Sequence, residues 1–235
     1  MREVTNLSNI EVLYEDNHLI AINKRPGDIV QGDKTGDAPL SEILKAYLKK
    51  KYNKPGNVFL GVIHRIDRPV SGVVVFAKTS KALARMNAKL QEKSFQKTYW
   101  AIIEKYPPGK NGTLKNYLVK NQEKNKSFAS DLPKKGYKQS ELDYSLIANS
   151  DRYFLLNIDP KTGRHHQIRV QLSKIGCPIK GDLKYGAKRS NKDASISLHA
   201  RKVEFEHPTL KEKTIIIAAP PSDNLWNFFV SLSIN

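Results

Sequence analysis

His64-Arg65-Ile66-Asp67-Arg68-Pro69-Val70-Ser71-Gly72 runs straight into Val73–Ala77, and this stretch decides how the rest of the chain is read. Val73–Ala77 is a continuous apolar run dominated by β-branched residues, which predicts a buried strand. The charged residues before it then stand at the mouth of that strand. Asp67 between Arg65 and Arg68 is an acid in cationic surroundings, the arrangement a carboxylate nucleophile needs. It serves equally well as a structural ion pair that fixes a loop. On this segment alone the two readings stand level.

Outward from the strand, Ser80 is placed to cap a helix with Leu83, Met86 and Leu90 on one face. Upstream, Glu11–Asn23 reads as two short strands around Asp16-Asn17. An irregular loop follows, marked by Gly27, Gly32 and Gly36, and an amphipathic helix runs from Leu40 to Lys49-Lys50-Lys51. Downstream, Thr98–Ile103 is a strand on which Tyr99, Ala101 and Ile103 share a face, so Tyr99 also fits as a core aromatic. Tyr144–Ala148 and Tyr153–Ile158 read as a hairpin. His166–Ile175 reads as a helix stopped by Gly176. Ser195–Phe205 and Thr214–Ala219 read as late strands joined through His207-Pro208, and Ser222 opens a last helix. Strands and helices mix without strict βαβ alternation, which favours an α+β fold.

The chain of 235 residues, 39% hydrophobic and 27% charged, is long enough to bury a core without disulfides or a structural metal. Cys177 is the single cysteine, which excludes an internal disulfide and a thiolate metal cluster. There is no apolar leader in residues 1–10, and no run approaches the roughly 18 apolar residues that cross a bilayer. A cytoplasmic protein without membrane association is expected. Forty Lys+Arg against 23 Asp+Glu give a formal +17, which favours a polyanionic partner over a neutral metabolite. The most biased segment is 105–138, with nine lysines against Glu123 and Asp131. It reads as an exposed insertion, with a short helix around Leu114–Val119. Its charge serves equally as a solvated face or as a phosphate-contacting arm.

A second chemical segment is Lys161-Thr162-Gly163-Arg164-His165-His166-Gln167-Ile168-Arg169-Val170-Gln171-Leu172. Gly163 stands where a loop enters a helix, and a helix N-terminus suits an anion. Arg164 and His165 fall in that turn. Arg169, further along, suits a bidentate pair with a carboxylate, or simply a basic helix face. His165 and His166 are adjacent, so they cannot act as i, i+4 metal ligands, and no metal is expected.

Together these segments resemble the RluA-type pseudouridine synthases. HRIDRPVSGVVVFAKT is similar to the family's catalytic segment, HRLDR followed by two variable residues, SG and an apolar strand. KTYWAII at 97–103 resembles its K-x-Y-x-A strand, and TGRHHQIRVQL at 162–172 its TGR-x-HQIR segment. YEDNHLIAINKRPGDIVQGD, GDLKYGA at 181–187 and LHARKVEF at 198–205 fall in the same order. Pro69-Val70 stands where many members carry Asp-Thr. The resemblance implies one catalytic domain over 1–235, with a mixed, mainly antiparallel central sheet and flanking helices, interrupted by the insertion around 105–138. It implies a monomeric enzyme that isomerises uridine in ribosomal or transfer RNA. Only about a dozen residues precede the matching motifs, too few for an N-terminal S4-type domain, so recognition is expected from the catalytic domain itself.

Carried over by position, the resemblance makes Asp67 the catalytic aspartate. Tyr99 becomes the tyrosine that lies against the base and assists proton removal at C5, and Arg169 the arginine that pairs with the aspartate. Arg65 would help hold the opened RNA, and Lys97, Arg164 and His165 fall at substrate-binding positions. Isomerisation breaks N1–C1′, forms C5–C1′ and moves one proton, with no change of oxidation state, so no cofactor is expected. Attack at C1′, attack at uracil C6 and a glycal route all fit one carboxylate. The base must leave its stack, which is easiest in loops and bulges. A non-catalytic RNA-binding protein on the same fold is the main competitor, and retention of Asp67, Tyr99 and Arg169 argues against it. A glycoside hydrolase would call for a second carboxylate that the motif segments lack.

Overall fold

The computed structural model describes residues 4–32 and 36–233. In chain order the elements are β1 (Val12–Glu15), β2 (Leu19–Lys24), α1 (Leu40–Lys51), β3 (Gly61–Val62), β4 (Ser71–Ala77), α2 (Ser80–Gln91) and β5 (Gln96–Ile103). Then come β6 (Asn111–Asn121), β7 (Lys126–Ser130), β8 (Lys138–Asn149), β9 (Phe154–Pro160) and α3 (Gln167–Lys174). A single 3-10 turn at Leu183–Tyr185, β10 (Leu198–Glu206), β11 (Lys213–Ile217) and α4 (Asn224–Ser233) complete it. The fold is α+β, as the mixed pattern of the sequence implies. No described helix is long and apolar enough to cross a membrane.

The chain forms two compact units, Met1–Lys97 with Ala200–Pro221, and Thr98–His199 with Ser222–Asn235. In the first, β4 is buried along its whole length, flanked by β2 in antiparallel register from Leu19↔Ala77 to Lys24↔Gly72. Val73, Val75 and Ala77 pack with Leu19, Ala21, Met86, Phe95, Val203 and Phe205. Fully burying each larger side chain of this set contributes about 1.5–3 kcal/mol. Met86 is therefore core, in line with its helical spacing. Gly72 opens β4 at φ +115°, and a Cβ there would run into the backbone of Ala200. A glycine is needed at this point for both conformation and close approach. The cap of α2 lies one residue earlier than expected: Thr79, not Ser80, is extended and accepts from the amide of Ala82. Similarly, Asp223 rather than Ser222 accepts the amides of Leu225 and Trp226 at the start of α4.

The second unit is a sheet in the order β5-β9-β8-β6-β7, each pair antiparallel. Trp226 and Phe229 of α4 pack on Ile102 and Leu155. The short helix expected around Leu114–Val119 is not there, and β6 occupies the position, paired with β8 from Asn111↔Ser145 to Leu118↔Lys138. Leu114 and Leu118 are four apart, a spacing that shares a face in a helix and in a strand alike. Buried Asn116 and Leu118 alternating with the less buried Lys115, Tyr117 and Val119 reveal the period of two.

Candidate active site

Asp67, in the first unit, is half-buried in the loop between β3 and β4, with exposed Arg65 and Arg68 on either side. The loop tightens into a turn in which the Val70 amide donates to the Asp67 carbonyl at 3.0 Å. Its backbone is gripped from β2. The Lys24 ammonium, fully buried, donates to the carbonyls of Arg25 (2.8 Å), Arg68 (3.1 Å) and Val70 (2.7 Å). The Gly27 amide adds a second bond to the Arg68 carbonyl at 2.7 Å. A buried ammonium is costly, by several kcal/mol, unless oxygen ligands replace its water. The carbonyls around the Asp67 turn are such ligands. The turn and the cation therefore stabilise one another. Arg68 reaches outward to Asp37, Nη2 to Oδ2 at 2.5 Å.

His64 anchors the other end of the loop. Its Nε2 accepts the Val75 amide at 3.1 Å, so the proton of the neutral ring sits on Nδ1. Burial first, then the charge of Lys97, holds its pKa well below the ordinary histidine value. The ring lies tilted against Phe95, centroids 5.1 Å apart, and Lys97 stands 5.7 Å above that same ring. Burial also lowers the pKa of the Lys97 ammonium.

The second unit carries the other expected residues. Tyr99 lies on β5 opposite Ile158 and is buried. Arg169, on α3, is 5% exposed and holds both oxygens of Asp182, Nε to Oδ2 at 2.7 Å and Nη2 to Oδ1 at 2.8 Å. This is the bidentate fork that suits guanidinium to carboxylate. The entry to α3 is set by Gln167, whose Oε1 accepts the Arg164 amide (3.0 Å) and the Thr162 hydroxyl (2.7 Å). His166 stands before the helix at φ 52°, a left-handed conformation that takes the chain sharply into α3.

Tyr185 is the hub of this region. Its hydroxyl accepts the Ser127 amide at 2.8 Å and lies 2.9 Å from His166 Nδ1. Burial first pushes the Tyr185 phenol up, so it keeps its proton. Arg169 and Lys126 both face the Tyr185 ring, at 5.0 and 5.1 Å. Ser127 donates to the His165 carbonyl at 2.7 Å, so His165 Nδ1, 2.8 Å away, must be the donor to Ser127 Oγ. That fixes the proton of His165 on Nδ1. Arg164 is exposed, with Nε on the Gln139 carbonyl at 3.1 Å.

The structure thus gives Lys24, His64, Ser127, Asp182 and Tyr185 positions beside the expected residues, although no signal in the sequence gives any of them a role. Asp182 and Tyr185 belong to the GDLKYGA segment, which carries the resemblance without a function attached. Lys24 stands in Asn23-Lys24-Arg25-Pro26-Gly27, where nothing local marks it as buried.

Known proteins resemble this chain along most of its length. The sequence model of a family described as RNA pseudouridylate synthase matches residues 18–174. Ribosomal large subunit pseudouridine synthase C of Buchnera aphidicola subsp. Acyrthosiphon pisum (strain APS) is 37% identical over 231 residues, covering 95% of this chain and 71% of the relative. An uncharacterized RNA pseudouridine synthase of Bacillus subtilis (strain 168), YhcT, is 32% identical over 225 residues, covering 94% and 72%. Among solved structures, human RNA pseudouridylate synthase domain containing 4 superposes with a TM-score of 0.78 at 22% identity, over 95% of this chain and 93% of that one. Domain containing 1 gives 0.74 at 20% identity, over 99% and 98%. At that identity the two structures speak to the fold alone.

Proposed function

The chain belongs to the RNA pseudouridylate synthase family, and on that premise we propose that it isomerises uridine to pseudouridine at specific positions of ribosomal RNA, with Asp67 as the catalytic aspartate. The observation that carries the substrate is the 37% identity over 95% of the chain to an enzyme named for the large ribosomal subunit. What supports Asp67 is its place in HRIDR and a turn whose carbonyls are tied down by Lys24 and Gly27. A nucleophile or base acts through its position, and a misplacement of about 1 Å costs on the order of 10²-fold in rate.

In this reading the Asp67 carboxylate attacks the nucleotide covalently, or deprotonates and stabilises the sugar, while N1–C1′ breaks. The uracil turns, C5 bonds to C1′, and the C5 proton leaves. Tyr99 assists that last step. Arg169 serves as the cationic partner of the chemistry, its guanidinium oriented by Asp182. Arg65 and Lys97 hold the opened strand in the first unit, and Arg164 and His165 contact RNA in the second.

The test is a pair of variants assayed on ribosomal RNA transcripts. Asp67→Asn is nearly isosteric but neither a nucleophile nor a strong base, so product falls below detection while RNA binding persists. Tyr99→Phe binds RNA normally and slows tritium release from C5-labelled uridine. Turnover by Asp67→Asn at a rate near wild type would refute the assignment. Normal tritium release in Tyr99→Phe would leave Tyr99 a core aromatic.

A further inference from the structure

The lysine-rich segment is not uniform once folded. β6 and β7 form a hairpin in which Asn121 faces Lys126 and Lys120 faces Ser127. Ser127 is the residue bonded to His165 and to the Tyr185 hydroxyl, so this strand pair is fastened to the turn before α3. The hairpin tip is fastened too: Lys184, in the 3-10 turn, donates to the Asn125 carbonyl at 3.2 Å. Lys120, Lys126 and Lys184 are therefore carried by ordered backbone around one point. Lys126 stands over the Tyr185 ring at 5.1 Å, and Lys120 lies opposite Ser127.

Charge accounting separates these three from their neighbours. Lys115, Lys161 and Lys174 are matched by Glu141, Asp143 and Asp131, at 3.5, 3.1 and 2.7 Å. Arg169 is matched by Asp182. Among the described residues no carboxylate pairs with Lys120, Lys126 or Lys184. His166 reports the resulting field: burial first, then Arg169, His165, Lys184 and Lys120, hold its pKa down to about 2. Ammonium groups gathered without a counter-charge repel one another, and an anion placed among them removes that cost. Lysine supplies compact point charges suited to a phosphate oxygen.

We infer that Lys120, Lys126 and Lys184 form a binding site for backbone phosphate of the substrate RNA, on the β6–β7 hairpin beside the His165–His166 turn. The site rests on the reading of the chain as an RNA-modifying enzyme and deepens it. It makes part of the lysine-rich segment a defined contact and leaves the rest as solvated surface. Lys134 and Lys135 belong to the rest, lying in the loop between β7 and β8.

The experiment compares two triple variants of the whole chain with equal charge change. One is Lys120→Gln, Lys126→Gln, Lys184→Gln; the other is Lys110→Gln, Lys134→Gln, Lys135→Gln. Affinity for a fluorescent single-stranded ribosomal RNA fragment is measured over a range of salt. Each lost phosphate contact lowers the slope of log affinity against log salt by roughly 0.7. The first triple lowers it by about 2, by the same per-contact value, and the second by less than half as much. Replacing the first three by Arg retains the wild-type slope, which shows that the Gln triple lost charge rather than fold. Equal slope changes in the two Gln triples would overturn the site in favour of diffuse attraction. Saturable binding of inorganic phosphate that the first triple loses, with RNA slopes unchanged, would make it a small-anion site and overturn it as well. Wild-type pseudouridine formation is followed in parallel. Its absence, with the slopes as stated, would count against the proposed activity while the phosphate site stands.

Discussion

Lys24 in the first unit and Arg169 in the second are both buried cations, and they are held in opposite ways. Lys24 collects backbone carbonyls from two loops. Arg169 takes both oxygens of the Asp182 carboxylate with Nε and Nη2 and stands 5.0 Å from the centre of the Tyr185 ring. The difference follows from shape. A compact ammonium bonds in three directions and is satisfied by converging dipoles, whereas a planar guanidinium matches a planar carboxylate. Lys24 therefore organises main chain, and Arg169 is organised by a side chain. Removing Lys24 should loosen a loop; removing Asp182 should take from a buried guanidinium the carboxylate that holds two of its nitrogens.

The largest effect expected from this contrast is at Asp182. Asp182→Ala leaves the Arg169 guanidinium without that carboxylate in an environment where both are nearly inaccessible to water. Breaking such a pair costs about 3–5 kcal/mol, so denaturant unfolding should shift by that amount. The double variant Asp182→Leu, Arg169→Met should recover much of the stability and none of the activity. A stability loss under about 1 kcal/mol in Asp182→Ala, the range of an exposed pair, would break the comparison.

Lys24→Met comes next. The apolar replacement fits the space but leaves carbonyls of Arg25, Arg68 and Val70 without this donor. A buried group left unsatisfied costs about 1–3 kcal/mol. The more telling readout is kinetic. Loss of the grip on the Asp67 turn should lower kcat on ribosomal RNA by more than it raises KM, because no RNA contact is removed. Lys24→Arg should not rescue, since a flat fork cannot reach the same three carbonyls. Unchanged kcat in a folded Lys24→Met protein would reduce Lys24 to a packing residue.

The smallest effect concerns pH, and it sharpens the comparison at His166. Its folded pKa, about 2, lies below the ordinary 6.5. The folded state therefore refuses a proton that the unfolded chain accepts. The stability this neutral ring contributes is complete above pH 6.5 and declines as pH falls towards 2. Near one pH unit below 6.5 the decline is about 1.4 kcal/mol for one proton. His166→Gln should flatten the stability curve between pH 6.5 and 5 by one proton, read from denaturant midpoints. An unaltered slope would show that His166 is charged in the fold. Buried, neutral His64 contributes to the slope in the same direction and is unaffected by that substitution.

Much of the fold, and each residue of the candidate site that a motif carries, is legible in the order of the residues. Val73–Ala77 declares itself by an unbroken apolar run, and its full burial follows. The helices from Leu40 and through Met86 declare themselves by spacing. Asp67, Tyr99 and Arg169 stand out because chemically loaded residues fall in ordered, locally recognisable segments. Where two periods coincide, local reading fails: Leu114 and Leu118 point to a helix, and β6 is a strand. At helix ends it fails by one residue, because Thr79 and Ser80, or Ser222 and Asp223, are equally good caps until the backbone turns.

By itself the sequence determined the α+β class, the order of motifs and the family, and it singled out the candidate residues for the chemistry, because periodicity and motif are properties of neighbours along the chain. Only the tertiary structure decided what holds those residues. Lys24 meets the Val70 carbonyl across 46 positions, and Ser127 meets His165 across 38. The lysines that converge are indistinguishable in sequence from those that do not. Such partners are chosen by which strands pair and by which groups burial forces to find an oxygen or a nitrogen. No local pattern encodes that choice.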